Sequence, residues 1–208
     1  IFAELQAART RLADSREKPS GDLRVTTTVG LGASWLTPRL KEFIELYPDI
    51  NLSLILHDEE LDLSMREADI ALRLRQPTQP DLIQRRLFTV HFHIYASPEY
   101  LRRIGTPKSI EDLDNHRIVT FGNPAPNYMR DINWLATIGR PEGEPRRPVL
   151  TINNVHGLKR AVEHGIGIAI IPTYLIDSAT NLVRLLPDAE LPEFDTYFVY
   201  PAELRDSA

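Results

Sequence analysis

An α/β fold of two βα lobes joined by two crossover strands is predicted by three features of the 208-residue sequence. Short β-branched or apolar runs alternate with amphipathic helical stretches, the order that builds helix-covered parallel sheets. A long apolar strand from about Leu87 to Ala96 separates two such series. A last strand, Asp195 to Tyr200, is expected to return the chain to the first lobe. A cleft would lie between the lobes.

Residues 1–18 stand apart: Ile1, Leu5, Ala8 and Leu12 recur at helical spacing among Glu4, Gln6, Arg9 and Arg11. Such a stretch is too short for a stable coiled coil by itself. It reads as a surface helix packed on its own domain. Pro19 to Asp22 is a turn, and Leu23 to Val29 a β-branched strand. A loop with Gly30, Gly32 and Ser34 follows. The next helix carries Leu36, Leu40, Phe43 and Tyr47 on one stripe, with Pro38 suited to its first turn. Tyr47 precedes Pro48, which disfavours helical backbone and closes the element.

The second strand begins at Ile50, with Leu52, Leu54 and Leu56 on one face. A short acidic helix from Glu59 to Arg66 leads to a strand from Asp69 to Arg75. There Ile70, Leu72 and Leu74 oppose Ala71, Arg73 and Arg75. Gln76 to Asp81 is a loop before the crossover strand.

The second lobe opens with Ser97 as N-cap and Pro98 at the first helical position. Ser109 to Asp112 resembles a capping box and starts another short helix. Strands are expected at Arg117 to Phe121, Asn133 to Ile138 and Val149 to Asn153. Gly122 to Pro126 is a turn, and 139–148 an exposed connector rich in Pro and Gly. Asn154 caps a helix through His164, which Gly165 ends. Ile166 to Ile171 is apolar throughout, as suits a parallel strand buried on both faces. The expected division is 1–18 as a separate helix, 22–95 with 194–208 as lobe one, and 96–193 as lobe two.

Bulk composition excludes several classes. The net charge of −5 argues against nucleic-acid binding by these residues themselves, since phosphate contact demands clustered Lys and Arg. No apolar run reaches about 18 residues, so no membrane span is expected. With no cysteine, disulfides and thiolate chemistry are excluded. No signal peptide is visible at the start.

The turn between the first strand and its helix is the best ligand site. Hydroxyls of Thr28 and Ser34, with backbone N–H groups across Val29, Gly30, Leu31 and Gly32, could hold a carboxylate. Equally, the same residues describe a capped helix and threonines satisfied in a sheet. Arg73 sits on an apolar strand and Arg85 with Arg86 enters the crossover. A buried arginine needs an anionic partner, either a ligand or an internal acid such as Asp62 or Asp69. From the other lobe Phe121, Gly122, Asn153, Asn154, Val155 and His156 would face the cleft, or serve only as strand end, turn and cap. His91 and His93 share a strand face but lack further ligands for a metal. The acidic run from His57 to Asp62 lacks an EF-hand pattern and reads as a solvated helix start. Neither a hydrolase elbow nor a P-loop occurs, and Gly30-Leu31-Gly32 lacks the third glycine of a dinucleotide motif. No enzyme, metal or cofactor is expected.

Several motifs occur together in order. They are Gly21-Asp22-Leu23-Arg24-Val25, Leu36-Thr37-Pro38 with Leu40, Tyr47-Pro48-Asp49-Ile50 and Ala68-Asp69-Ile70-Ala71-Leu72-Arg73. Ala96-Ser97-Pro98-Glu99-Tyr100-Leu101 and Gly165 to Pro172 complete the set. The sequence thereby resembles the regulatory domain of a LysR-type transcriptional regulator from about Gly21 to Pro201. That resemblance implies a periplasmic-binding-protein-like fold, with 1–18 as the end of a linker helix that pairs protomers. It also implies a small-molecule effector in the interlobe cleft, against the Thr28 to Ser34 turn. An aromatic or aliphatic carboxylate is the expected chemical class. DNA would be bound only through an amino-terminal helix-turn-helix segment outside this sequence. A cytoplasmic homodimer or homotetramer is implied, pairing helix against strand through Leu36 to Tyr47. Family members often carry a further helix after the last strand, where this sequence stops at Ala208. A solute-binding protein of a transport system is the alternative on the same architecture.

Overall fold

A computed structural model describes residues 19–59, 61, 63, 67–77, 81–122 and 132–204. Among the described residues, nine strands form two sheets. The larger runs β2 (Ile50–Leu56), β1 (Gly21–Thr27), β3 (Ile70–Arg73), β9 (Glu193–Pro201), β4 (Leu82–Ala96) and β7 (Ala169–Pro172), with β8 (Val183–Leu185) also paired to β4, and the smaller pairs β5 (Val119–Phe121) with β6 (Leu150–Ile152). Strands β1 (Gly21–Thr27), β2 (Ile50–Leu56) and β3 (Ile70–Arg73) are parallel, with β1 central and β2 outermost. Strand β4 (Leu82–Ala96) is fifteen residues long and is shared between the lobes. Its first part, Leu82 to His91, pairs antiparallel with β9 (Glu193–Pro201), which also pairs with β3. Its last part pairs with β7 (Ala169–Pro172) and β8 (Val183–Leu185). The last strand thus returns to the first lobe, as expected, and the two crossovers lie hydrogen-bonded side by side. Strands β5 (Val119–Phe121) and β6 (Leu150–Ile152) are parallel. They join β7 through a bridge between Ile118 and Ile168.

The first helical segment departs from expectation. No loop separates β1 from the helix: α1 occupies 29–46, starting directly after Thr28. Val29, expected to end the strand, is its first residue. Thr28 has extended backbone, and its Oγ1 accepts the Leu31 N–H, so the helix is capped within one residue of the sheet. Pro38 then falls inside the run, where its missing N–H would break an α-helix. The chain passes from one α turn through a π turn (Gly32–Leu36) and a 3-10 turn (Thr37–Arg39) before resuming α geometry at Leu40–Leu46. Those altered turns accommodate the proline.

Helices α2 (Pro98–Ile104) and α4 (Val155–Glu163) are capped by Ser97 and Asn154 as their sequences require. Between them α3 (Trp134–Thr137) is one helical turn where a strand was expected. Asn133 explains the change: its side chain binds both the N–H and the C=O of Phe121, and the following turn buries Leu135. Six residues of apolar pattern do not separate the two states. Strand β7 is fully buried, but its partner β4 runs antiparallel, and only the Ile118 bridge is parallel. Burial on two faces does not dictate strand direction. Strand β8 had no counterpart in the sequence reading. The helix expected over 1–18 lies outside the described residues, as do most of the acidic helix at 59–66 and the turn beyond Gly122.

One apolar cluster runs through both lobes along β4, from Leu31, Leu72 and Val90 to Ile94, Leu158 and Ile171. A smaller one of Leu63, Ala68, Ala71 and Val199 forms separately in the first lobe. The two lobes therefore share one apolar spine.

Candidate functional site

Parallel pairing of β1 and β2 builds the central feature of the site. Thr27 lies opposite Leu56, so two residues further along each chain Val29 meets Asp58. Asp58 Oδ1 accepts the Val29 N–H at 3.0 Å. The first amide of α1 thus holds a carboxylate, but that carboxylate belongs to the protein. Burial pushes the Asp58 carboxyl above its ordinary range, while the Val29 N–H and the His57 and His156 imidazoles pull it down.

From the second lobe, α4 and the turn after β7 close against this corner. Ser34 Oγ and His156 Nε2 stand 3.5 Å apart, on opposite lobes. Gly30 packs against Val155 and Tyr174 so closely that a Cβ there would lie 2.8 Å from the Tyr174 hydroxyl. Burial, and next the Asp58 carboxylate, push the Tyr174 hydroxyl well above its ordinary value, so it stays protonated. His156 is placed by the Asn154 cap, whose Oδ1 accepts from the N–H groups of His156 and Gly157.

Of the residues singled out in the sequence, Gly30 and Ser34 meet Val155 and His156 across one seam, while Thr28 and Asn154 cap the two helices that carry them and Val29 opens the first. Leu31 is fully buried and serves the core. Gly32 is buried against Leu56 and Thr27. Phe121 is also a core side chain. Register again explains Gly122 and Asn153: Phe121 pairs with Ile152, so the next residues meet, and Gly122 rests on the Asn153 backbone.

Arg73 is buried and donates from Nη2 to the Leu61 carbonyl at 3.0 Å. Of the acids suggested for it, Asp69 instead accepts the Arg24 N–H, and Asp62 lies outside the described residues. A cavity of about 20 Å³ lies beside Arg73, lined also by Thr26 to Thr28 and His57 to Glu59. That is room for little more than one water. The Thr27 hydroxyl in its wall is buried without a hydrogen-bond partner. Arg85 is exposed on β4, opposite Phe198, and is not part of this cavity. Its neighbour Arg86 pairs with Asp195 at 2.8 Å. His91 is paired with Glu193 at 2.6 Å, and no group of three metal-ligating side chains occurs among the described residues.

Sequence reasoning missed Asp58 and Tyr174. A signal for Asp58 existed in its position two residues past β2, matching Val29 past β1. Tyr174 follows β7 in a 3-10 turn, and nothing local marks it.

Comparison with known proteins adds a further line. The model of the LysR substrate binding domain matches residues 16–208. The HTH-type transcriptional regulator CrgA of Neisseria meningitidis serogroup C is 33% identical over 189 residues, 90% of this chain and 61% of that protein. An HTH-type transcriptional regulator of Xanthomonas campestris pv. campestris is 32% identical over 171 residues, 82% of this chain and 50% of its own length. Among solved structures, the CrgA regulatory domain superposes with a TM-score of 0.75 at 30% identity, covering 89% of this chain and 91% of that one. The regulatory domain of AphB from Vibrio vulnificus gives 0.70 at 26% identity, covering 88% and 91%. The chain spans only 61% and 50% of the two curated relatives.

Proposed function

Because the chain belongs to the LysR substrate binding domain family, we propose that it senses a small effector for a longer transcriptional regulator. The effector enters at the seam where Gly30 and Ser34 meet Val155, His156 and Tyr174. DNA is contacted by a helix-turn-helix segment outside these residues, and the regulator works in the cytoplasm as a homo-oligomer. The observation that carries the reading is the contact of Gly30 and Ser34 with Val155, Tyr174 and His156, in a fold shared with named regulators. Those names also favour a sensor over a transport protein or an enzyme.

Gly30 and Ser34 already stand against Val155, Tyr174 and His156 across the seam. Effector entry therefore requires the seam to open. A ligand shifts such an equilibrium only by its differential affinity for the two states. A coupling of about 1–3 kcal/mol changes regulation severalfold. Pairing of protomers falls to α1, where Ile44 and Leu46 are exposed on its two flanks, and to the neighbouring edge strand β2.

A thermal-shift screen of this chain against metabolites tests the reading. Ligand at about 100 times its dissociation constant stabilises the fold by roughly 2.7 kcal/mol. A saturable hit lost in Ser34→Ala and His156→Ala supports the seam as the effector site. Hits that bind both variants as tightly as the unmodified chain overturn it.

A further inference from the structure

A cavity of about 580 Å³ lies in the second lobe, between the chain that follows α2 and the chain that runs through β8 and beyond it. None of its lining residues belongs to the seam. Its size falls within the about 300–1,000 Å³ typical of small-molecule sites. The lining is mainly apolar: Pro107 and Leu185 are buried, and Ile110, Leu186 and Ala189 half-buried. Both walls are braced. The Asp112 carboxylate accepts the N–H groups of Lys108 and Ser109, and Arg146 donates to the Ile110 carbonyl at 3.2 Å. Opposite, Arg184 Nη2 donates to the Pro187 carbonyl at 3.1 Å, and the Ala189 N–H closes a turn onto the Leu186 carbonyl. These bonds fix the walls, as a pre-formed site requires.

Leu186 stands at φ 45°, the only non-glycine residue with positive φ among the described residues. Leucine is sterically disfavoured there, and strained backbone of this kind clusters at ligand sites. Glycine would relieve the strain but would take an apolar side chain out of the lining. Lys108 and Arg184 bring two positive charges to the cavity against one acid, Asp188.

We propose that this cavity is a second ligand site, for a small amphipathic carboxylate. Its apolar body packs on Pro107, Ile110 and Leu185, and its charge meets Lys108 and Arg184. The site does not depend on the effector reading of the seam. Its occupant bears on β8, which pairs with β4 through Leu185 and Ile94, next to the strand that both lobes share.

Phenylbutyrate and phenylbutylamine share an apolar body and differ in charge. Each is titrated into the ¹⁵N-labelled chain at neutral pH. The Ile110 and Leu186 amide resonances report on the cavity, and those of Gly30 and His156 on the seam. Phenylbutyrate is expected to shift Ile110 and Leu186 saturably, with the amine at least tenfold weaker. Lys108→Gln and Arg184→Gln together should weaken phenylbutyrate at least tenfold. Both side chains are exposed, so the fold is retained, and unchanged resonances away from the cavity check this. Arg184→Lys keeps the charge and should keep most of the affinity, which separates recognition by charge from loss of the Pro187 hydrogen bond. Equal binding of the amine, unchanged phenylbutyrate affinity in the doubly substituted chain, shifts confined to Gly30 and His156, or no shift with either probe overturns the assignment.

Discussion

Arg146 and Asp114, thirty-two residues apart, meet at 2.6 Å between Nε and Oδ1, and this pair fixes the long connector of the second lobe. The guanidinium also donates to the carbonyls of Leu135, Ile138 and Ile110, which makes it the buried exception in an exposed stretch. Arg146→Ala should strip three carbonyls of their donor and cost about 3 kcal/mol. Arg146→Lys should restore little of this, because an ammonium lacks the planar fork. Urea unfolding measures both; loss below about 1 kcal/mol in the alanine variant would refute an anchoring role.

Gly30→Ala should act on the seam and leave the first lobe's own packing intact. Gly30 has ordinary helical backbone, so alanine there is intrinsically favourable by up to about 1 kcal/mol. Its new methyl group meets Val155 and the Tyr174 hydroxyl across the seam. Overpacking of this kind costs about 1–3 kcal/mol, relieved here by parting the lobes. Gly30→Ala should destabilise the chain, and adding Val155→Ala should recover part of the loss. A double-mutant cycle with no coupling between the two sites would count against contact across the seam.

Much of this seam was legible because its parts obey local rules. Asn154 and Ser97 cap helices exactly where short polar side chains precede apolar periodicity, and both do so in the fold. What stayed hidden was long-range. Asp58 looked like one acid in a solvated run until the Thr27–Leu56 register placed it at Val29. Strand β8 spans only three residues, too few for a period-2 pattern to show. Val29 misled because a β-branched residue after a strand resembles more strand, whereas the Thr28 hydroxyl had already begun the helix.

Acid should weaken the second lobe through His116. Tyr100 Oη accepts the Arg117 N–H at 2.9 Å and stands 3.2 Å from His116 Nδ1, to which it donates when that nitrogen carries no proton. Burial holds the imidazole below its ordinary value, against the pull of Asp112. The unfolded chain takes up a proton near pH 6.5 and the folded one resists it. Stability is therefore full above about 6.5 and lost as pH falls towards the folded value. His93, likewise depressed by burial, adds to the same slope. His116→Gln should flatten the fall in urea midpoint on acidification without abolishing it; an unchanged slope would exclude His116 as a contributor.

Self-association should depend on the exposed apolar flanks of α1. Leu46 is 66% exposed and Ile44 51%, on a helix whose neighbour β2 is an edge strand among the described residues. Large apolar side chains left open beside an edge strand are the usual mark of a partner surface. Burying one such side chain is worth about 1.5–3 kcal/mol, enough to change a dissociation constant at least tenfold. Leu46→Glu and Ile44→Glu should each shift the protomers towards monomer in sedimentation equilibrium. Both positions face solvent in the single chain, so thermal stability measured at low protein concentration should hold. A self-association constant indifferent to both charges would move the pairing surface elsewhere on the molecule.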